Sequence, residues 1–176
     1  MIPGVPPLPW LVPGIALAGV VSVVASGRVG RWLGVRRTVG GGLILGLGMI
    51  LAGTLTPMRS ALDHGTVGSA KCDLTRMGLA SPADLLEFYD AGLNILLFIP
   101  LGFAIGLAPR SRRKAALVVG AVALPFAIEA TQLLVPWLDR ACESADVFDN
   151  LTGLAIGLGG GVVAGRLAGA LDRQSR

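Results

Sequence analysis

Carboxylate and amide side chains recur at helical spacing in two apolar stretches of the chain. Asp146, Asp149 and Asn150 fall at positions i, i+3 and i+4, so they would share one face of a helix. Glu129 and Gln132 lie three residues apart in another apolar stretch and would also share a face. An ionised group inside a membrane helix costs about 3 kcal/mol and usually faces the bundle interior. Such groups could bind a polar head group, exchange protons or hold a divalent cation.

Two more polar residues belong to the same candidate site. Asn94 is the only strongly polar side chain inside a third apolar stretch, and Arg140 is the basic residue expected beside the carboxylates. An arginine there can pair with a carboxylate in a bidentate manner, or hold a phosphate or carboxylate of a ligand. The candidate ligand-binding residues are Asn94, Glu129, Gln132, Arg140, Asp146, Asp149 and Asn150.

Each residue also has a purely structural interpretation. Glu129 could extend to the membrane interface or form a structural pair, and Asp146 could cap the start of a helix. Asn150 could form a hydrogen bond between helices. The coincidence of depth favours a site, because the polar residues of three successive stretches would lie at one level of the membrane.

Composition predicts the elements that must position these residues. Hydrophobic residues make up 53% of the chain and charged residues 15%, with a mean hydropathy of +0.71; soluble domains average about 25% charged. The apolar residues fall in blocks long enough to cross about 30 Å of hydrocarbon. We therefore expect one all-α domain over residues 1–176, a polytopic membrane helix bundle. The predicted spans are 11–26, 38–56, 91–108, 115–137 and 147–168, with an outer loop at 57–90.

The basic residues predict the orientation of this bundle. Loops 28–37 and 109–114 each hold four, and the C-terminal region holds three, so 11 of the 15 lie on one side. The positive-inside rule then places the N-terminus outside and the C-terminus in the cytoplasm. The net charge of +4 therefore indicates orientation rather than a nucleic-acid partner; membrane lipids are the expected partners.

The two cysteines of the chain could form a disulfide. Cys72 and Cys142 both fall on the predicted outer side, where a disulfide can form; two unrelated thiols are the alternative.

Glycines recur every fourth residue through the last span, at positions 153, 157, 161, 165 and 169. Such a face allows close helix packing, either within the chain or between subunits of a homo-oligomer.

Several of these residues carry a resemblance to a known family. The matching segments are NILLFIPLG at 94–102, EATQ at 129–132, Arg140, DVFDNLTG at 146–153 and TLTP at 54–57. Together they resemble the VanZ-like family of bacterial membrane proteins over roughly residues 45–160. The carried-over positions are Asn94, Pro100, Gly102, Glu129, Gln132, Arg140, Asp146, Asp149, Asn150 and Gly153.

The resemblance implies a multi-pass protein of the bacterial cell (inner) membrane. The best-known member of the family gives low-level resistance to the glycopeptide antibiotic teicoplanin. The resemblance thus implies a phenotype, not a reaction.

Three functions remain open on the sequence alone. The first is a non-catalytic envelope protein that binds a lipid-like or glycopeptide-related ligand in an outer-leaflet pocket. The second is a membrane enzyme acting on a lipid head group. No metal-spacing motif, nucleophile elbow or histidine cluster supports it, and we expect no metal or cofactor. The third, an ion-coupled transporter, is disfavoured because the chain has no internal repeat.

Overall fold

A computed structural model describes residues 8–81 and 91–175. These residues are mainly helical, and a single pair of two-residue strands occurs among them. The helices are α1 (Leu11–Leu33), α2 (Arg37–Thr54), α3 (Arg59–His64), α4 (Leu93–Leu107), α5 (Arg112–Leu134) and α6 (Ser144–Gln174), and a 3-10 turn spans Pro136–Leu138. The parallel strands are β1 (Cys72–Asp73) and β2 (Cys142–Glu143). The last nine residues of the outer loop, 82–90, lie outside the described part.

Four helices, α1, α2, α5 and α6, are long and apolar enough to cross a membrane. Helix α4 is also apolar but has only 15 residues, or about 22 Å at 1.5 Å per residue. The predicted all-α membrane helix bundle is therefore confirmed. The helices α1 and α6 run further than expected, to Leu33 and Gln174, because the basic residues beyond each apolar block continue the helix instead of breaking it.

Two prolines lie inside helices without ending them. Helix α5 continues through Pro125, and α4 continues through Pro100. Proline removes one hydrogen bond, and packing against neighbouring helices tolerates that loss in a membrane bundle. Pro125 is fully buried, in agreement with this explanation.

Helix α4 lies at the centre of the bundle, between α2 and α6. Glycines of α6 let it approach α4 closely: a Cβ on Gly153 would lie 2.0 Å from the Ile95 carbonyl oxygen, and one on Gly157 would lie 2.2 Å from that of Ile99. The first part of the glycine series therefore packs within the chain. Gly169, at the far end of the series, has no atom within 4 Å of such a Cβ.

One end of the bundle, which we call the basic end, carries the α1–α2 turn and the α4–α5 turn. Arg37 donates from Nε to Ser26 Oγ at 3.0 Å and thereby joins α2 to α1. Lys114 Nζ donates to the carbonyl oxygens of Gly106 and Ala108 at 2.8 and 2.9 Å. These bonds satisfy carbonyl groups that the end of α4 leaves without helical partners.

The opposite end, which we call the polar end, holds the outer loop and the α5–α6 connection. Cys72 and Cys142 lie at disulfide-bonding distance with Cα atoms 4.5 Å apart, as predicted, and they pair in register between β1 and β2. Asp139 accepts hydrogen bonds from the Ser60 and Thr66 hydroxyls. These bonds lower the pKa of Asp139 below its usual value and attach the outer loop to the α5–α6 connection.

Candidate functional site

Four polar side chains of α5 and α6 are buried at the polar end of the bundle. Glu129 and Gln132 on α5 are 6% and 4% exposed, and Asp149 and Asn150 on α6 are each 1% exposed. Side chains of these types are seldom this buried without a partner or a function. Together with the half-buried Arg140, they form what we call the polar cluster.

Glu129 connects α5 to the start of α6. Its Oε2 accepts a hydrogen bond from the backbone N–H of Glu143 at 2.7 Å, while Oε1 has no partner among the described residues. Glu143 is not among the candidate residues named from the sequence, and it contributes to the site through its main chain.

Gln132 and Arg140 both bond to the end of α2. Gln132 Nε2 donates to the Thr54 carbonyl oxygen at 3.0 Å, and Arg140 Nη2 donates to that of Gly53 at 2.7 Å. These carbonyl groups lie at a helix terminus and lack intrahelical partners. Burial lowers the pKa of Arg140, and the charge of the nearby Asp146 opposes that effect.

Asp149 pairs with a residue that the sequence analysis did not include. Both nitrogens Nη1 and Nη2 of Arg76, in the outer loop, donate to its carboxylate, with Nη1 at 3.2 Å from Oδ1. The carbonyl oxygen of Arg76 also accepts a hydrogen bond from Ser144 Oγ at 2.8 Å. The expectation that Arg140 is the one basic residue near the cluster was therefore wrong.

A signal for Arg76 was present in the sequence. It lies four residues after Cys72, so a Cys72–Cys142 bridge brings it towards the start of α6. Helical spacing could not indicate Arg76, because it lies in a loop outside the predicted spans.

Asn150 is the least satisfied member of the polar cluster. Neither Nδ2 nor Oδ1 of its buried amide has a hydrogen-bond partner in the described residues. The interhelical hydrogen bond considered for it is not found there. One turn later, Gly153 contacts the backbone of α4 at Ile95, so Asn150 lies where α4 and α6 approach closely.

The two remaining candidates lie at the edge of the cluster. Asp146 is half-buried in the first turn of α6, and the N-cap position is Glu143, not Asp146. Asn94 is half-buried in the first turn of α4, next to Ile95. Both therefore lie at the polar end of the bundle.

The unpartnered atoms define what the cluster can bind. Buried polar atoms without partners in the described residues are Glu129 Oε1, Gln132 Oε1, Asn150 Oδ1, Asn150 Nδ2 and Arg140 Nε. The three oxygen atoms are hydrogen-bond acceptors, and the two nitrogen atoms are donors. Each such atom left unpaired costs about 1–3 kcal/mol. A ligand with both hydroxyl or amide donors and carbonyl or phosphate acceptors would satisfy them.

The cluster is covered in this structure. The sequence predicted a pocket open to the outer side, whereas four of the five side chains are less than 10% exposed and Arg76 covers Asp149. Within residues 8–81 and 91–175, no group of three His, Cys, Asp or Glu side chains is placed to hold a metal ion.

Comparison with known proteins places the chain in a family. The family model described as VanZ/LLP1 matches residues 42–164, which include the whole polar cluster and Arg76. No curated protein and no solved structure matches the chain. Because the family match covers well over half of the chain, this protein belongs to the VanZ-like family.

Proposed function

We propose that this protein is a binding protein of the bacterial cell membrane, whose polar cluster holds the head group of a lipid-like or glycopeptide-related ligand. The observation that carries the proposal is a set of buried polar atoms, at one end of an apolar bundle, that have no partner among the described residues. Such atoms destabilise the fold unless another molecule satisfies them.

The surroundings of the cluster suit an amphipathic ligand. The head group would bond to Glu129 and Asn150, and the hydrocarbon part would lie against the apolar helix faces below them. By the positive-inside rule, the polar end faces the extracytoplasmic side. A ligand would reach it from the outer leaflet once the Arg76 segment moves away from Asp149.

The family supplies the proposed biological setting. Its best-known member confers teicoplanin resistance, and teicoplanin carries a lipid tail beside a polar glycopeptide. We therefore extend the proposal to envelope function of this type, through binding rather than catalysis.

A susceptibility assay tests the role of the cluster. The chain is expressed in a susceptible bacterium, and the inhibitory concentrations of teicoplanin and vancomycin are measured for the parent, Glu129→Gln and Asp149→Asn. Thr131→Val is the matched control, because the Thr131 hydroxyl bonds only within α5, to the Ala127 carbonyl oxygen. We expect the parent and control to protect and both cluster variants to protect less. Equal protection by all four proteins, present in the membrane at equal levels, would show that the polar cluster is not required for resistance.

A second candidate function rests on Glu129 alone. Its buried carboxyl has one oxygen free of hydrogen bonds within the described chain, so it could act as an acid or base on a lipid head group. Purified protein incubated with lipid-linked substrates, with and without added Mg²⁺, tests this alternative. Turnover that Glu129→Gln abolishes would favour the enzyme over the binding protein.

A further inference from the structure

An apolar groove lies at the basic end, at the opposite end of the bundle from the polar cluster. It has a volume of about 460 Å³ and separates α5 from the α1–α2 pair. Its walls are apolar, with Leu33, Leu101 and Leu117 among them, and its mouth carries Trp32 and Arg113. A volume of this size is within the usual range for ligand sites, about 300–1,000 Å³.

The groove has the length of one membrane leaflet. Arg113 lies in the first turn of α5, and Leu124 lines the deep end of the groove 11 residues later. At 1.5 Å per residue the two positions are about 16 Å apart along the helix. Half of a hydrocarbon core of about 30 Å is about 15 Å. An acyl chain in the groove would therefore leave its head group beside Arg113.

Arg113 has no acidic residue nearby on the helices that form the groove. The sequence contains no Asp or Glu from residue 1 to 62 or from 91 to 128, which covers α1, α2, α4 and most of α5. Arg37 and Lys114 form hydrogen bonds within the bundle. Arg113 instead extends across the mouth, with Nη1 3.3 Å from where a Cβ on Gly34 would lie.

We propose that this groove binds one acyl chain of an anionic phospholipid, whose phosphate pairs with Arg113. A guanidinium binds phosphate through parallel hydrogen bonds, and a basic residue at the membrane surface attracts anionic lipids. Trp32, 76% exposed at the mouth, is of the type that lies at the membrane interface. The inference does not depend on the polar cluster or on its ligand.

Native mass spectrometry of the purified full chain tests the charge part of the proposal. Retained phosphatidylglycerol is compared with phosphatidylcholine of the same acyl chains. We expect the parent to prefer phosphatidylglycerol about five-fold, the effect of about one basic residue at the membrane surface. Arg113→Gln should abolish the preference, whereas Arg112→Gln, which removes an exposed neighbouring charge outside the groove, should keep it. A parent without preference, or an Arg113→Gln variant that keeps it, would overturn the proposal.

A second pair of variants tests the groove itself. A Cβ at Gly120 meets no atom within 4 Å, so Gly120→Leu fills the groove without a clash at that atom. Gly159→Leu is the matched control, because Gly159 has equally open space on α6 and does not line the groove. We expect Gly120→Leu to lower retention of both lipids several-fold and Gly159→Leu to leave it unchanged. Equal retention by the two variants would show that no acyl chain occupies the groove.

Discussion

Arg76 and Asp149, 73 residues apart in sequence, form a bidentate ion pair that joins the outer loop to α6. The Asp149 carboxylate is 1% exposed, so without this arginine a charge would be buried with less compensation. The bridge between Cys72 and Cys142 holds the segment that carries Arg76 near the start of α6. The outer loop is therefore part of the polar end of the fold.

Replacement of Arg76 tests this relationship. We expect Arg76→Met to lower the free energy of unfolding by about 2–3 kcal/mol. This is below the roughly 3–5 kcal/mol of a fully buried pair, because the Arg76 side chain is 31% exposed. Chemical or thermal unfolding in detergent measures the change. Arg59→Met, at an exposed position in α3, is the control and should change stability little. Equal stability of the two variants would mean that the pair contributes nothing.

Replacement of Asn150 by leucine should raise the stability of the protein and lower its function. Leucine has the same branched arrangement of side-chain heavy atoms but no polar atom, so Asn150→Leu removes two buried groups that have no partner among the described residues. We expect the free energy of unfolding to rise by about 1–3 kcal/mol, while protection against teicoplanin falls.

Thr152→Val provides the control for Asn150, since its hydroxyl already bonds to the Phe148 carbonyl oxygen within α6. It should alter neither stability nor protection appreciably. A destabilised Asn150→Leu variant would contradict this expectation.

Removal of the disulfide should loosen the Arg76 segment. The bridge joins residues 70 positions apart, and closing a loop of that length stabilises a protein by about 2–4 kcal/mol. Cys72→Ser combined with Cys142→Ser should therefore lower the unfolding midpoint. In the protein without the disulfide, Arg76→Met should lower the free energy of unfolding by less than it does in the parent, because the segment is no longer held near Asp149. Strictly additive losses would contradict this coupling.

The contact between α4 and α6 makes a fourth stability prediction. Gly153→Ala would place a Cβ 2.0 Å from the Ile95 carbonyl oxygen and force the helices apart. We expect a loss of about 1–3 kcal/mol, as for other overpacked interfaces. Gly159→Ala, where a Cβ meets no atom within 4 Å, should be neutral or stabilising by about 0.5–1 kcal/mol. The unfolding midpoints of the two variants in detergent decide the question, and similar values would argue against this packing.

The amino-acid sequence by itself determined the membrane helix bundle, because hydrocarbon-length apolar blocks have few other stable structures in a bilayer. It also predicted that Glu129, Gln132, Asp149 and Asn150 face the interior of the bundle, because polar groups within a membrane helix seldom face lipid. For Asp149 and Asn150 the glycine series on the same helix face supported that prediction. Topology placed Cys72 and Cys142 on the same side of the membrane, and the structure brings them to disulfide-bonding distance. The sequence could not show whether the glycine face packed within the chain or against another subunit.

Tertiary structure alone decided the partners of these residues. Arg76 reaches Asp149 only because the chain returns through a loop of irregular structure, which has no periodicity from which its path could be read. Arg140 and Gln132 donate hydrogen bonds to carbonyl groups at the end of α2. Every residue has such a carbonyl group, so the spacing of side chains in the sequence cannot predict these partners. The groove at Arg113 likewise depends on the separation of α5 from α1 and α2, which is a property of packing and not of any one segment.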